Sequence, residues 1–387
     1  MSAGLLFLAV ALPLAAQDTV VLPSNSAPVW GRDVRLTREL RIGEVEGAPE
    51  YMFGRITSLA VAVDGSIFAL DRQAVTVRQY DNRGRFVRSY GREGSGPGEL
   101  RRPEAIALAR NGQLLVRDPG NARIAVFERS GAAAAHWTFP SSFSTNAGMF
   151  VDTAGQLLTP LNVRSRTSQA RSGRALLRFR ADGTVRDTVM WPTWGFQPRE
   201  MVVTSQGGTA RYSVAYDPNV ESTYSPLGYF VGGVSVRYAV DQLPADGRVR
   251  RIMRAYPRVA VAAAERNSIR DGLLRNIRSA NNPNYQWQGP DVATRKPAFT
   301  SIAVDLEGRI WVQVPDQSVQ RPAGAEGQPP HWTSLVHYDV FQPSGTYLGA
   351  VRFPEPFTPI IMRGLQVWGI ERDPLGVEYI ARYRIGN

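Results

Sequence analysis

Between Ile56 and Gly131 one pattern of apolar and polar positions is written twice without a gap. Ile56 to Val63 sets Leu59, Val61 and Val63 against Ala60 and Ala62, Asp64-Gly65 interrupts it, and Ser66 to Leu70 resumes. After Asp71-Arg72-Gln73 come Val75 to Tyr80, the turn Asp81-Asn82-Arg83-Gly84, and Arg85 to Tyr90. Short apolar runs bounded by Gly- and Asp-bearing turns predict four antiparallel strands joined by tight hairpins. Gly65 recurs as Gly112, Asp71 as Asp118, Val77 as Ile124, Tyr80 as Phe127 and Gly84 as Gly131, each 47 residues on. Such a period marks a repeat architecture, in which each small sheet buries its faces only against its neighbours.

Further units follow. A third begins near Asn146, with Gly155 and Gly183 as its turn glycines; they are 28 residues apart instead of 19, so nine residues are inserted within Asn162 to Gly173. A fourth has Gly228 and Gly247, 19 apart. A fifth opens at Ser301 to Gly308, and its second turn, Pro343-Ser344-Gly345, comes 37 residues after Gly308, with the insertion around Pro315 to Trp332. The sixth is Leu365 to Arg384, with its turn at Pro374-Leu375-Gly376, and it stops before outer strands are complete. Asp33 to Ile42 alternates apolar and charged residues and belongs to no unit, so it is expected to complete the last sheet and close the ring. Gln17 to Trp30 is assigned no pairing partner. The expected fold is all-β: a six-bladed β-propeller of four-stranded antiparallel blades, closed by the N-terminal strand. Val259 to Ala280, with Ile269, Leu273 and Ile277 on one face at i, i+4 and i+8, adds a helix between blades four and five.

The units resemble NHL-type repeats. Asp33 to Ile385 is similar to the bacterial exported six-bladed β-propeller family, through Phe53-Gly54, the run from Gly91-Arg92-Glu93-Gly94 to Leu100-Arg101-Arg102-Pro103, and Asp118-Pro119-Gly120-Asn121-Ala122-Arg123-Ile124. The resemblance is close in blades one and two, fair in five and general in three, four and six. It implies the architecture and carries no single activity.

Composition narrows the setting. Residues 1 to 16 read as a secretory signal with a small-residue cleavage site after Ala16, without a charged n-region; 17 to 32 form an extension and 33 to 387 the propeller. A periplasmic or extracellular location is therefore expected, with no stable membrane span. There is no cysteine, hence no disulfide framework. The net charge of +11 is carried almost wholly by arginine, Lys296 being the one lysine. Export argues against nucleic acid as partner. A monomer that meets an envelope protein, a peptide or an acidic glycan is expected instead.

Antiparallel blades place the links from second to third strand, and from each blade to the next, on one face. The insertions, the helix as a lid, and the Gly91 to Pro103 crossover share it, and insertions gathered on one face mark a binding side. Candidate binding residues there are Asp71, Arg72, Arg92, Glu93, Arg101, Arg102, Glu104, Asp118 and Arg123. Asp71 and Asp118 could direct carboxylates to the channel mouth or cap the amides of the adjoining turn. Asn121 and Arg123 resemble an internal staple of the repeat. The Gly91 to Gly98 loop lacks the strand-to-helix setting and Lys-Ser/Thr ending of a phosphate cradle, and reads as a tight crossover. His136, His331 and His337 have no ligand spacing, and no catalytic constellation is found. One enzymatic alternative comes from six-bladed lactone hydrolases, whose inner-strand starts hold a divalent cation. Glu104 and Asn146 occupy such starts here and would offer oxygen to Ca2+ or Mn2+. Otherwise no cofactor is expected.

Overall fold

A computed structural model describes residues 20–23, 27–139, 148–163, 173–205, 208–280, 282–322 and 331–386. Six sheets stand around an axis, each beginning with its innermost strand: Ile56–Val61, Ala105–Leu108, Phe150–Val151, Val220–Tyr224, Ser301–Val304 and Phe357–Arg363. Each inner strand pairs antiparallel with a second, and that with a third and a fourth. The chain is a six-bladed β-propeller.

The repeated glycines do what their spacing implied. Gly65, Gly84, Gly112 and Gly131 all have φ between 82° and 93°, the left-handed region that a side chain disfavours. Between the turns, alternate residues point to opposite faces of each sheet, so that apolar clusters lie between blades instead of at one centre. One such seam joins blade six to blade one through Ile42, Ile56, Leu59, Ile67, Trp368 and Ile380. Similar seams fill the remaining gaps around the ring.

Closure occurs as expected and involves one strand. Arg35–Ile42 pairs antiparallel with Glu378–Gly386 and forms the outer edge of blade six. The sixth blade itself differs from the expected phase by one strand. Its inner strand is Phe357–Arg363, and the Pro374-Leu375-Gly376 turn joins the second strand, Gln366–Arg372, to the third, Glu378–Gly386. Asp373 accepts bonds from the Leu375 and Val377 amides (2.9 and 3.0 Å). This is the turn chemistry used between first and second strands elsewhere. The true first hairpin turns at Gly364, φ +56°, without an aspartate.

The N-terminal extension is also not free of partners. Val20–Pro23 pairs in parallel with Arg250–Met253 as a fifth strand of blade four. The Val29 and Trp30 amides donate to the Tyr347 and Leu348 carbonyls of blade five at 3.2 and 2.7 Å. Outer strands present unpaired backbone groups, and this segment satisfies them on two blades before closing the third. The signal-peptide reading of 1–16 falls outside the described residues.

Candidate ligand-binding face

Asp71 and Asp118 end the second strands of blades one and two, and both are fully buried. Asp71 accepts from the Gly54 and Arg55 amides before the inner strand (both 3.0 Å), and from Gln73 and Ala74 in the following turn (3.1 and 3.2 Å). Arg78 completes the shell at 3.0 Å. Asp118 accepts from the Arg101 and Arg102 amides (3.1 and 2.9 Å) and from Asn121 Nδ2 (2.7 Å), with Arg123 Nε 3.9 Å away. Arg123 donates to the Gly96 and Glu99 carbonyls, and Asn121 to that of Gly94, tying the glycine-rich crossover to blade two. The crossover turns tightly through Gly91, Gly94 and Gly98, all at positive φ, with Arg92 paired to Glu99 at 3.1 Å.

These bonds separate two kinds of candidate. Asp71, Asp118 and Arg123 are occupied by the backbone they organise. What they organise is a pair of equivalent positions 47 residues apart, Arg55 and Arg102, with Arg101 beside the second. Arg55, Arg101 and Arg102 are exposed and Arg72 is half-buried. None of the four has a carboxylate partner among the described residues. Glu93 is exposed and bridges by its backbone to Leu100. The site is thus a basic mouth above the inner strands of blades one and two.

On the other side of this face the decorations meet one another. The link from blade three to four contains a hairpin, Glu200–Ser205 with Gly208–Ser213, which sequence patterning did not reveal. Its Met201 and Val203 pack on Leu273, Leu274 and Ile277 of the helix, which runs Ala263–Ala280. The helix starts four residues later than expected because Val259 to Val261 bond to the returning link, where the Lys296 amide reaches the Val259 carbonyl at 2.8 Å. The insertion around Pro315 to Trp332 lengthens two strands of blade five, Ile310–Arg321 and His331–Phe341, into an arm; residues 323–330 and 164–172 fall outside the described residues.

Two buried polar clusters lie along this arm. In one, Asp339 accepts from Tyr238 (2.9 Å) and Tyr347 (2.8 Å), with Arg254 at 3.5 Å and His337 Nε2 at 3.8 Å. Burial pushes the Tyr347 hydroxyl up to about 12 and the Tyr238 hydroxyl well above its usual value, so both stay donors. In the other, Lys296 Nζ donates to the Asp316 carbonyl (2.6 Å), Ser318 Oγ (2.7 Å) and Ser334 Oγ (2.8 Å). Glu265 of the helix accepts from Ser318 (2.6 Å) and Tyr216 (2.7 Å). Sequence reading missed both groups, since their members lie tens of residues apart. The single signal available was the lone lysine.

Glu104 stands just before the inner strand of blade two, the position expected of a cation ligand. Its side chain is buried and its Oε2 has no hydrogen-bond partner in the protein. Its charged neighbour, however, is the buried Arg117 guanidinium, and Asn146 falls outside the described residues. No three His, Cys, Asp or Glu side chains gather as a metal site among the described residues. One carboxylate beside a guanidinium is a poor donor set for Ca2+ or Mn2+, and the described residues here do not fit such an ion.

No family model matches the chain, and no curated protein matches its sequence. Solved structures do match in shape. A member of the DUF4221 family from Bacteroides vulgatus ATCC 8482 superposes with a TM-score of 0.54 at 12% identity, covering 92% of this chain and 99% of that one. A candidate exported protein of Bacteroides fragilis NCTC 9343 gives 0.50 at 9% identity, covering 95% and 99%. A gluconolactonase of Xanthomonas campestris gives 0.41 at 12% identity, covering 96% and 99%. These likenesses show the fold alone. Among the described residues no helix is long and apolar enough to cross a membrane.

Proposed function

We propose that this is an exported propeller that binds an acidic ligand, a glycan or an acidic segment of an envelope protein, on the face carrying the inter-blade links. One observation carries the reading: the link that carries the hairpin, through Tyr216, the link that carries the helix, through Glu265 and Lys296, and the arm of blade five converge on one cluster of bonds. Insertions scattered by chance over a repeat protein would not share partners. The four arginines at the mouth of blades one and two supply the charge preference, since guanidinium forks match carboxylate and sulfate groups.

Labelled oligogalacturonate, with a neutral cello-oligosaccharide as comparison, tests this by fluorescence anisotropy. Binding of the acidic oligomer alone, weakened at least tenfold in about 0.5 M salt, is the expected outcome. A poly-glutamate peptide in the same assay separates glycan from peptide. Equal or absent binding of all three probes would remove the proposal. The lactone-hydrolase alternative loses support from the buried Arg117 charge beside Glu104.

A further inference from the structure

Among 45 basic residues other than histidine, only position 296 is lysine, and that residue is fully buried. The two side chains differ in shape. Lysine ends in a compact head with three donors diverging from one nitrogen, whereas arginine carries a planar fork. Lys296 Nζ meets three oxygens within 2.6 to 2.8 Å, one for each donor.

Those oxygens are arranged by the arm. Ser318 and Ser334 are directly opposed across its two strands, and the register breaks between Pro315 and Ser318. A bulge of that kind re-aims the local backbone; here the Asp316 carbonyl accepts from Nζ. From Ser318 the chain of bonds continues to Glu265 in the helix and back to Tyr216, at the end of the hairpin's link. Tyr216 has φ +59°, a left-handed conformation held without glycine, and its ring lies 5.2 Å from Nζ. One amine therefore joins the link, the arm and, through Ser318 and Glu265, the helix. Burial lowers its pKa from the usual lysine value, against Glu265 and Asp316, which raise it.

We propose that Lys296 is the latch that fixes the lid, namely helix Ala263–Ala280 with its packed hairpin, to the arm of blade five, and that the latch requires the compact three-donor head and not merely a positive charge. The latch goes beyond ligand recognition and can be read with no ligand present. Only its consequence, a preassembled binding face, rests on the proposed function.

The experiment is hydrogen exchange of the full chain, comparing wild type with Lys296→Met, Lys296→Arg and Ser334→Ala. Lys296→Met is expected to raise exchange of the helix and hairpin amides about tenfold or more while amides of blades one and two keep their protection. Lys296→Arg is expected to behave like Lys296→Met, because a planar fork cannot reach all three oxygens. Should either variant fail to fold, Ser334→Ala decides: removing one half-buried acceptor is expected to loosen the lid roughly threefold and leave the rest of the ring unchanged. Wild-type protection in Lys296→Arg would overturn the proposal, as would unchanged lid exchange in Lys296→Met or Ser334→Ala, or a uniform rise around the ring. Oligogalacturonate affinity of the same variants is a separate readout, so failure of ligand binding leaves the latch result standing.

Discussion

Ile42→Ala tests the closure of the ring at a single side chain. Ile42 is 3% exposed at the end of the closing strand and packs in the seam with Phe53, Ile56 and Trp368. Together with Leu40 it also lies against the turn of blade one: a Cβ at Gly84 would come 3.0 Å from both side chains. The strand thus joins the last blade to the first. Truncating a buried isoleucine to alanine costs about 2 to 5 kcal/mol, through lost transfer energy and the cavity left behind. With about 2 cal/mol/K of unfolding entropy per residue, a chain of this size has roughly 0.8 kcal/mol/K, so a loss of about 3 kcal/mol lowers Tm by about 4 °C. Val21→Ala, on the strand added to blade four and 56% exposed, is the matched control and should shift Tm by about 1 °C or less. Scanning calorimetry at one protein concentration measures both. If Ile42→Ala melts with Val21→Ala, the N-terminal strand does not hold the ring shut.

Three other outcomes follow from the same geometry. Asp71→Ala leaves buried Arg78 without its carboxylate and four amides without their acceptor, and should destabilise by about 3 to 5 kcal/mol in a denaturant melt. Gly112→Val places a branched side chain at φ +84°, with Arg129 Nε 2.8 Å from the new Cβ; a loss of about 1 to 3 kcal/mol is expected. Burial raises the Glu221 carboxyl on the inner strand of blade four from 4.5 to about 7. The folded state keeps that proton where the unfolded chain has lost it, so the associated stability is complete below about pH 4.5 and is lost as pH rises through 7. Glu221→Gln should flatten this slope between pH 5 and 8 and, discounted for the half-buried position, gain of order 1 kcal/mol at pH 8; an unchanged slope would contradict it.

Where one turn carries one chemistry, the fold was legible. Asp64-Gly65 and its copy at Asn111-Gly112 placed blades one and two, because positive φ at a fixed period has few explanations. Blade six misled for the same reason: Asp373 to Gly376 has that chemistry but occupies the next link, and the inner strand Phe357–Arg363 carries Pro359 and no aspartate turn. The pairing of Val20–Pro23 was hidden because a four-residue apolar strand added to an outer edge has no periodic signature. The candidate site was only partly legible. Asp118, Asn121 and Arg123 lie close in sequence, so their mutual bonds could be anticipated. Tyr216, Lys296, Glu265 and Ser318 are brought together only by the packing of three insertions, and nothing local marks them except the choice of lysine over arginine.

The claim that this face meets an acidic ligand is tested most directly by charge reversal on the two faces. The triple variant Arg55→Glu, Arg101→Glu, Arg102→Glu alters the exposed mouth. Arg110→Glu, Arg129→Glu alters exposed arginines by the hairpin turns of the opposite face. Isothermal calorimetry with oligogalacturonate should show affinity reduced at least about tenfold for the first variant and nearly unchanged for the second. Equal affinities for the two variants, whether both retained or both lost, would contradict the account.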